Sequence, residues 1–271
     1  NELQRRNIPV YSVSSIFRKE QIFFRWYGKS YRKVLNTFTH LFVQDEVSVQ
    51  LLRTIGITNT TVVGDTRFDR VLEICRQAKE LPLVEKFKGN HTAFVAGSSW
   101  GPDEDIFIPY LNAHPEVKLI IAPHVIDESH LKEITSKLNR TVVRYTQATE
   151  EKVKEADCLL IDCFGLLSSI YRYGEIAYIG GGFGVGIHNV LEAAVYGMPV
   201  IFGPNNKRFR EAQGLLQCKG GFEIQGAEDF KKIMDNFLNN YEALDKAGKK
   251  AGNYVRDNAG ALEKIMHTVT L

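Results

Sequence analysis

Short runs of consecutive apolar residues alternate along the chain with longer stretches whose apolar positions recur at helical spacing. Ile8–Val13, Leu41–Val43, Thr60–Val63, Ala93–Gly97, Leu119–Ala122, Val142–Arg144, Cys158–Ile161, Ile176–Ile179 and Val200–Phe202 read as strands. A run that is apolar throughout suits a strand buried on both faces, as in a parallel sheet covered by its crossover helices. Helices are expected over 17–36, Glu46–Ile55, Asp69–Lys79, Ala227–Asn239 and Tyr241–Asp257. The alternation predicts an α/β fold of Rossmann-like parallel sheets with helices on both faces. Pro82 and Gly89 bracket a charged stretch and set a boundary near 81–90. Residues 1–85 are then part of one domain, and 86–271 a nearly complete second one with packed terminal helices.

Composition narrows the class. At 271 residues the chain can build two packed domains. Its four cysteines contain no C-x-x-C pair, so neither a disulfide framework nor a zinc ribbon is expected, and a reducing compartment is. No apolar run reaches the roughly 18 residues of a spanning helix, and no signal peptide is visible. The chain opens without Met, on Asn1–Arg6, which reads as the interior of a helix; a piece of a longer protein is expected. A net charge of +2 is too near balance to indicate nucleic acid, and no such partner is expected. The charge is uneven, however. Residues 1–40 carry eight Arg and Lys against Glu2 and Glu20. Phe17, Phe23, Phe24, Trp26, Tyr27 and Tyr31 interleave with these bases. Such a segment suits anionic lipid headgroups, or equally a domain helix with its apolar face buried and its bases solvated.

The candidate chemistry sits where strands end. Tyr178-Ile179-Gly180-Gly181-Gly182-Phe183-Gly184-Val185-Gly186-Ile187-His188-Asn189-Val190-Leu191-Glu192 runs from a strand through a glycine-rich loop into a helix. Glycines allow close backbone approach to a ligand, and a helix start favours phosphate. The spacing is neither a P-loop nor G-x-G-x-x-G. His188 and Asn189 are expected near the helix N-cap, with Glu192 one turn on to accept from ribose hydroxyls. Downstream, Tyr196-Gly197-Met198-Pro199-Val200 reads as helix end then strand, an order typical of nucleotide-sugar transferases with two Rossmann-like domains. Gly97-Ser98-Ser99-Trp100 offers hydroxyls and backbone N–H groups at a strand's carboxyl edge, although Ser99 or Asp103 also reads as a simple helix cap. His124 after Pro123 is a phosphate or base contact, or an incidental loop histidine. Phe164-Gly165-Leu166 offers a turn that could read a nucleobase edge, or a plain βα turn. Arg67, after Gly64-Asp65-Thr66, is a cation for an anionic leaving group, or a surface arginine paired with Asp69.

Taken in order, these motifs resemble the 3-deoxy-D-manno-octulosonate (Kdo) transferases, which have the GT-B fold. The resemblance runs through Ile8–Arg18, Gln44, Gly64–Asp69, Gly97–Glu104, Pro123-His124, Phe164–Leu167, Gly180–Glu192 and Gly197–Pro204. It implies an inverting, metal-independent glycosyltransferase with no cofactor, a CMP-Kdo donor and a lipid A precursor as acceptor. It implies peripheral attachment to the anionic cytoplasmic face of the bacterial inner membrane. Residues 1–85 then belong to the acceptor-side domain and 86–271 to the donor domain. Pro123, His124, Phe164, Gly165, Leu166, His188, Asn189, Val190, Leu191 and Glu192 match donor contacts, with Ser98 and Ser99 beside them. Gln44 and Arg67 match positions that stabilise the transition state. The family's glutamate base and its membrane anchor are expected upstream of Asn1, which would leave this chain inactive alone. The family commonly has Arg for His124, Asn for Asp65, Lys for Arg67, Glu for Leu166 and a Ser-Thr-His-like run for Ser98-Ser99-Trp100. Two alternatives stay open: another GT-B enzyme using a UDP-sugar, and a non-catalytic nucleotide-binding or membrane-docking module.

Overall fold

A computed structural model describes residues 2–269. The chain divides into two compact units, one of 1–70 with 258–271, the other of 71–257. The division thus lies at Arg70 rather than near 81–90. The stretch around Pro82 is itself a helix, Pro82–Lys88, that buries Val84 and Phe87. Proline suits the first helical turn, where its missing N–H has no partner to lose.

The first unit holds three parallel strands, β1 (Tyr11–Ser15), β2 (His40–Val43) and β3 (Thr60–Val62), in the order β1-β2-β3. The helix expected over 17–36 is broken. A 3-10 turn covers Ile22–Phe24, and an α-helix only Lys29–Leu35. Phe17, Phe23 and Phe24 pack edge to face with centroids 6.3 to 6.5 Å apart, on a core that includes Leu41, Val43 and Leu52. Burying three rings in one corner outweighs the helical propensity of the segment. Arg32 closes the turn, donating from Nε to the Phe23 carbonyl at 2.8 Å and from Nη2 to that of Arg25 at 3.2 Å. The last helix, Ala261–Thr268, packs Ala261 and Ile265 on Phe42 and Val63. Asp69 fixes its start, accepting from Gly260 N at 2.8 Å and Ala261 N at 3.1 Å.

The second unit is a seven-stranded parallel sheet. Its strands are β4 (Ala93–Ser99), β5 (Lys118–Pro123), β6 (Val142–Arg144), β7 (Cys158–Leu160), β8 (Ile176–Ile179), β9 (Val200–Phe202) and β10 (Gly221–Glu223). The order is β10-β9-β8-β4-β5-β7-β6. β5, β8 and β9 are buried at every residue, and β4 at all but Ser98, as their apolar runs require. Phe94, Phe107, Tyr178 and Phe230 form the aromatic centre of the core, with centroids 5.4 to 6.3 Å apart. The chain winds outward from β4 through β5, then returns to the other side of β4 as β8. The β4–β8 junction is therefore the topological switch point, where α/β sheets bind ligands beyond the carboxyl ends of their strands.

Candidate nucleotide site and its relatives

At the switch point the ends of β4 and β8 come unusually close. A Cβ built on Gly180 would lie 2.2 Å from the Ser98 carbonyl oxygen, so only glycine fits. Ser98 itself has φ of 52°, a left-handed conformation that strains a non-glycine residue. Past Gly180 the glycine loop folds on itself. The N–H groups of Gly184 and Gly186 both donate to Gly181 O at 3.0 Å, and His188 N donates to Gly180 O at 3.1 Å. The helix that follows is a single turn, Leu191–Ala194, with Val190 rather than Asn189 in the cap position. Asn189 still supports that turn, accepting from Leu191 N at 3.1 Å.

Asp103 ties the loop to the helix after β4. It is 1% exposed. Its Oδ1 accepts from the Tyr178 hydroxyl at 2.8 Å; its Oδ2 accepts from Gly181 N at 2.9 Å and Trp100 N at 3.0 Å. Burial pushes its carboxyl above the usual range, and the three donors pull the other way. Beneath it lies a second buried pair. Glu104 accepts from the Ser99 hydroxyl at 2.9 Å and meets His130 Nε2 at 3.0 Å, while His130 Nδ1 faces the Val125 carbonyl. Burial raises the Glu104 carboxyl.

Several sequence-predicted residues converge here. Ser98, His188, Asn189 and Glu192 line one cavity of about 150 Å³ at the switch point, with Tyr171 and Leu167 as its floor. Asn189 Nδ2 donates to Glu192 Oε1 at 2.9 Å, and burial raises the Glu192 carboxyl. His124 stacks on Trp100 at 4.6 Å and on His188 at 4.4 Å. Trp100 Nε1 donates to His188 Nε2 at 3.2 Å. Because indole nitrogen only donates, His188 Nε2 is bare and its proton sits on Nδ1. Burial and the neighbouring His124 hold the His188 pKa below the ordinary histidine range.

Other predicted residues are placed differently. Ser99 is fully buried with its hydroxyl committed to Glu104. Val190 and Leu191 turn their side chains into the core, and Pro123 is buried as the last residue of β5. These three present backbone alone. Phe164, by contrast, is 80% exposed beside Gly165, whose φ is 84°, and Leu166 caps the short helix Leu167–Ile170. Gln44 and Arg67 lie in the first unit, and Ser14 links Gln44 to Thr66, the residue before Arg67. Gln44 Nε2 donates to the Ser14 carbonyl at 3.0 Å, and Thr66 N donates to the Ser14 hydroxyl at 3.2 Å. Arg67 pairs with Asp65, not Asp69, from Nε at 2.9 Å and Nη2 at 2.7 Å. Among the described residues no cluster of three His, Cys, Asp or Glu is placed to hold a metal ion.

The basic-aromatic segment is partly core and partly surface. Trp26 is 90% exposed, with Tyr27 and Tyr31 more than half exposed. Arg18, Lys19, Lys29 and Lys33 on the same segment have no ion pair among the described residues. Among the described residues, no helix is long and apolar enough to cross a membrane.

Two Rossmann-like units, the second with a glycine loop and an acidic helix turn at its switch point, define the class: the fold is that of the GT-B glycosyltransferases. Within it, residues 1–70 match the family model described as 3-deoxy-D-manno-octulosonic-acid transferase (kdotransferase). Over 248 residues, 89% of this chain and 59% of the relative, the sequence is 26% identical to 3-deoxy-D-manno-octulosonic acid transferase of Rickettsia bellii (strain RML369-C). Over 218 residues it is 29% identical to the enzyme of the same name from Aquifex aeolicus (strain VF5), covering 78% of this chain and 57% of that one. The C-terminal CMP-Kdo binding domain of WaaA from Acinetobacter baumannii superposes with a TM-score of 0.57 at 20% identity, over 69% of this chain and 99% of that domain. The resemblance to Kdo transferases read from the motifs is thus shown in sequence, and the fold agrees. The chain spans about half the length of the curated relatives it matches.

Sequence reasoning missed the Asp103 strut and the Glu104–His130 pair. The signal was present: two adjacent acids one turn into a helix that opens with Pro102, on a face otherwise apolar. A carboxylate with no lysine or arginine near it in sequence, followed by Phe107 and Ile108 on the core side, has to find donors from elsewhere.

Proposed function

We propose that this chain carries the donor-binding part of a Kdo transferase, one that moves Kdo from CMP-Kdo to a lipid A precursor with inversion and without a metal. The observation that carries the proposal is the convergence of Ser98, His188, Asn189 and Glu192 on one cavity at the β4–β8 switch point. In this reading Glu192 accepts hydrogen bonds from the ribose hydroxyls, and Asn189 holds the carboxylate in place. His124, exposed and stacked on Trp100 and His188, donates to the phosphate when protonated. Phe164 offers an open ring face to the cytosine. As the acceptor hydroxyl attacks the anomeric carbon, the bond to CMP breaks and the electron pair stays on the phosphate oxygen. The hydroxyl proton passes to a base supplied outside the residues assigned here. Gln44 and Arg67 serve the developing charge, with the Arg67 guanidinium already oriented by Asp65.

The acceptor and the location belong to the same proposal. Trp26, Tyr27 and Tyr31, set among Arg18, Lys19, Lys29 and Lys33, are suited to an anionic membrane surface. In this proposal the protein works at the cytoplasmic face of a bacterial inner membrane. Calorimetry with CMP and UDP tests the donor. CMP is expected to bind in preference to UDP, and Glu192→Ala to weaken CMP about tenfold, the scale of a hydrogen bond to a charged group. A preference for UDP, or CMP affinity unchanged in Glu192→Ala, would sink the donor reading. For the membrane, co-sedimentation with vesicles of anionic against zwitterionic lipid is the measurement. Equal binding to both, or no effect of Trp26→Ala, would remove the surface role.

A further inference from the structure

A second cavity opens beside the glycine loop, and apart from Val185 and Pro204 its lining lies outside the motifs above. It has a volume of about 560 Å³, and its lining includes Val185, Asn205, Lys207, Arg208, Glu223 and Gln225. That volume falls in the range of small-molecule sites. Its walls are braced. Asn206, fully buried beneath it, donates to the Gly203 carbonyl at 3.0 Å and to Glu223 Oε2 at 2.6 Å, and accepts from Gln213 Nε2 at 2.6 Å. Gln225 Nε2 donates to Glu223 Oε1 at 2.7 Å.

The loop after β9 also grips the glycine loop. Asn205 donates from its backbone N to Gly182 O at 2.9 Å and from Nδ2 to Gly184 O at 2.6 Å. Arg208 Nη2 donates to Val185 O. Val185 lines both this cavity and the small cleft formed by Trp100, Asp103 and Gly181, and Trp100 bonds in turn to His188 of the candidate nucleotide site.

Its charges are unequally satisfied. Glu223 has both oxygens occupied by amides, and Arg208 is engaged with Val185. Lys207 alone makes no hydrogen bond or ion pair among the described residues. The cavity thus presents a spare ammonium beside amide and carboxylate groups that suit sugar hydroxyls.

We propose that this cavity binds the anionic group of a hydroxylated sugar, with Lys207 pairing its carboxylate or phosphate and Glu223 and Gln225 taking its hydroxyls. The anion has two sources under the proposed function: the carboxylate of a donor sugar acid, or a phosphate on the sugar acceptor. The inference rests on the donor reading for its place in the reaction, but the cavity can be tested separately.

The experiment is a set of NMR titrations of the 271-residue chain with free Kdo, with glucosamine 1-phosphate and with CMP. Lys207→Gln, which removes a side chain that braces nothing, is compared with wild type, and Lys207→Arg serves as the rescue. Shifts at Gly182–Val185 and Asn205–Arg208 are expected with one of the sugars. Lys207→Gln is expected to weaken that sugar about tenfold, Lys207→Arg to restore it, and both to leave CMP unchanged. Binding of Kdo assigns the carboxylate source, and binding of the sugar phosphate assigns the acceptor. If CMP binds and neither sugar does, or if Lys207→Gln binds the sugar as well as wild type, the inference is overturned and the nucleotide reading survives. Sugar binding without CMP binding would keep the cavity and overturn the donor reading. Binding of none of the three would overturn both.

Discussion

Asp103 invites a comparison of two substitutions that differ only in what they leave behind. Its carboxylate receives three hydrogen bonds, from the Tyr178 hydroxyl, Gly181 N and Trp100 N. Counting donors alone would make any neutral replacement severe, at about 1.5–3 kcal/mol for each bond to a charged group. The environment argues otherwise. Burial raises the Asp103 carboxyl in spite of those donors, so the folded site disfavours the charge relative to water. Asn can turn its oxygen to the two backbone N–H groups and its amide to the Tyr178 hydroxyl, which keeps all three contacts without a charge. Ala keeps none. Water can reach Gly181 and Trp100 through the adjoining cleft of about 130 Å³, but Tyr178 is fully buried. The expected costs are therefore about 1 kcal/mol or less for Asp103→Asn and about 2–3 kcal/mol for Asp103→Ala. In a unit of this size the larger cost lowers Tm by roughly 4–12 °C. Thermal unfolding followed by circular dichroism reads the difference, and hydrogen exchange at Gly181 N places it. Because the folded carboxyl is raised, the folded state binds the extra proton. The Asp103 contribution is thus most favourable below the unfolded carboxylate range and declines as pH rises through the folded value. Asp103→Asn removes that slope. If Asp103→Asn costs as much as Asp103→Ala, the charge is a net stabiliser and the reasoning fails.

Three further outcomes follow from the geometry. His188 should titrate below ordinary histidine in heteronuclear NMR, and Trp100→Phe, which frees Nε2, should move it upward; its contribution to stability is complete above the unfolded pKa and falls away as pH drops toward the folded one. Gly180→Ala would place a methyl 2.2 Å from the Ser98 carbonyl oxygen, and chemical denaturation should show a loss above about 3 kcal/mol; a near-neutral result would mean that the two strand ends can part easily. Asp69→Ala removes the acceptor for Gly260 N and Ala261 N, for an expected cost of about 1 kcal/mol; faster exchange should be confined to the last helix, and a change spread over the first unit would contradict a local cap.

The parallel sheets were legible because a strand buried on both faces leaves an unbroken apolar run, and such runs stand out in β4, β5, β8 and β9. The centre of the second sheet follows from that signal; β1 and β3 carry no such run, and β10 was not among the strands expected. The break at Ile22–Phe24 was not legible. Phe17, Phe23 and Phe24 keep a helix-like spacing, and only their meeting with Leu41 and Val43 from β2 shows why the helix gives way. The site divides along the same line. Glu192, Asn189 and His188 lie within five residues of sequence and came out together. Two of the three partners of Asp103 lie 75 and 78 residues downstream, and no local pattern announces those two. Arg67 shows the same limit at shorter range. Its sequence reading names Asp69 as the alternative partner, but Asp69 is claimed by a helix start 191 residues away and Arg67 pairs with Asp65.

That long-range contact has a consequence for how the protein comes into being. The first unit is drawn from two stretches far apart in sequence, residues up to Arg70 and residues from Asn258 on, while 71–257 form the second unit between them in sequence. Synthesis from the amino end presents the second unit as an uninterrupted segment that can fold as soon as it emerges. The first unit must wait for the final helix, exposing Phe42 and Val63 until Ala261 and Ile265 arrive. Assembly of these two units is therefore expected out of chain order, with 71–257 closed before the unit that precedes it in sequence. Limited proteolysis of stalled nascent chains ending near residue 257 should find the second unit protected and residues 1–70 open to cleavage.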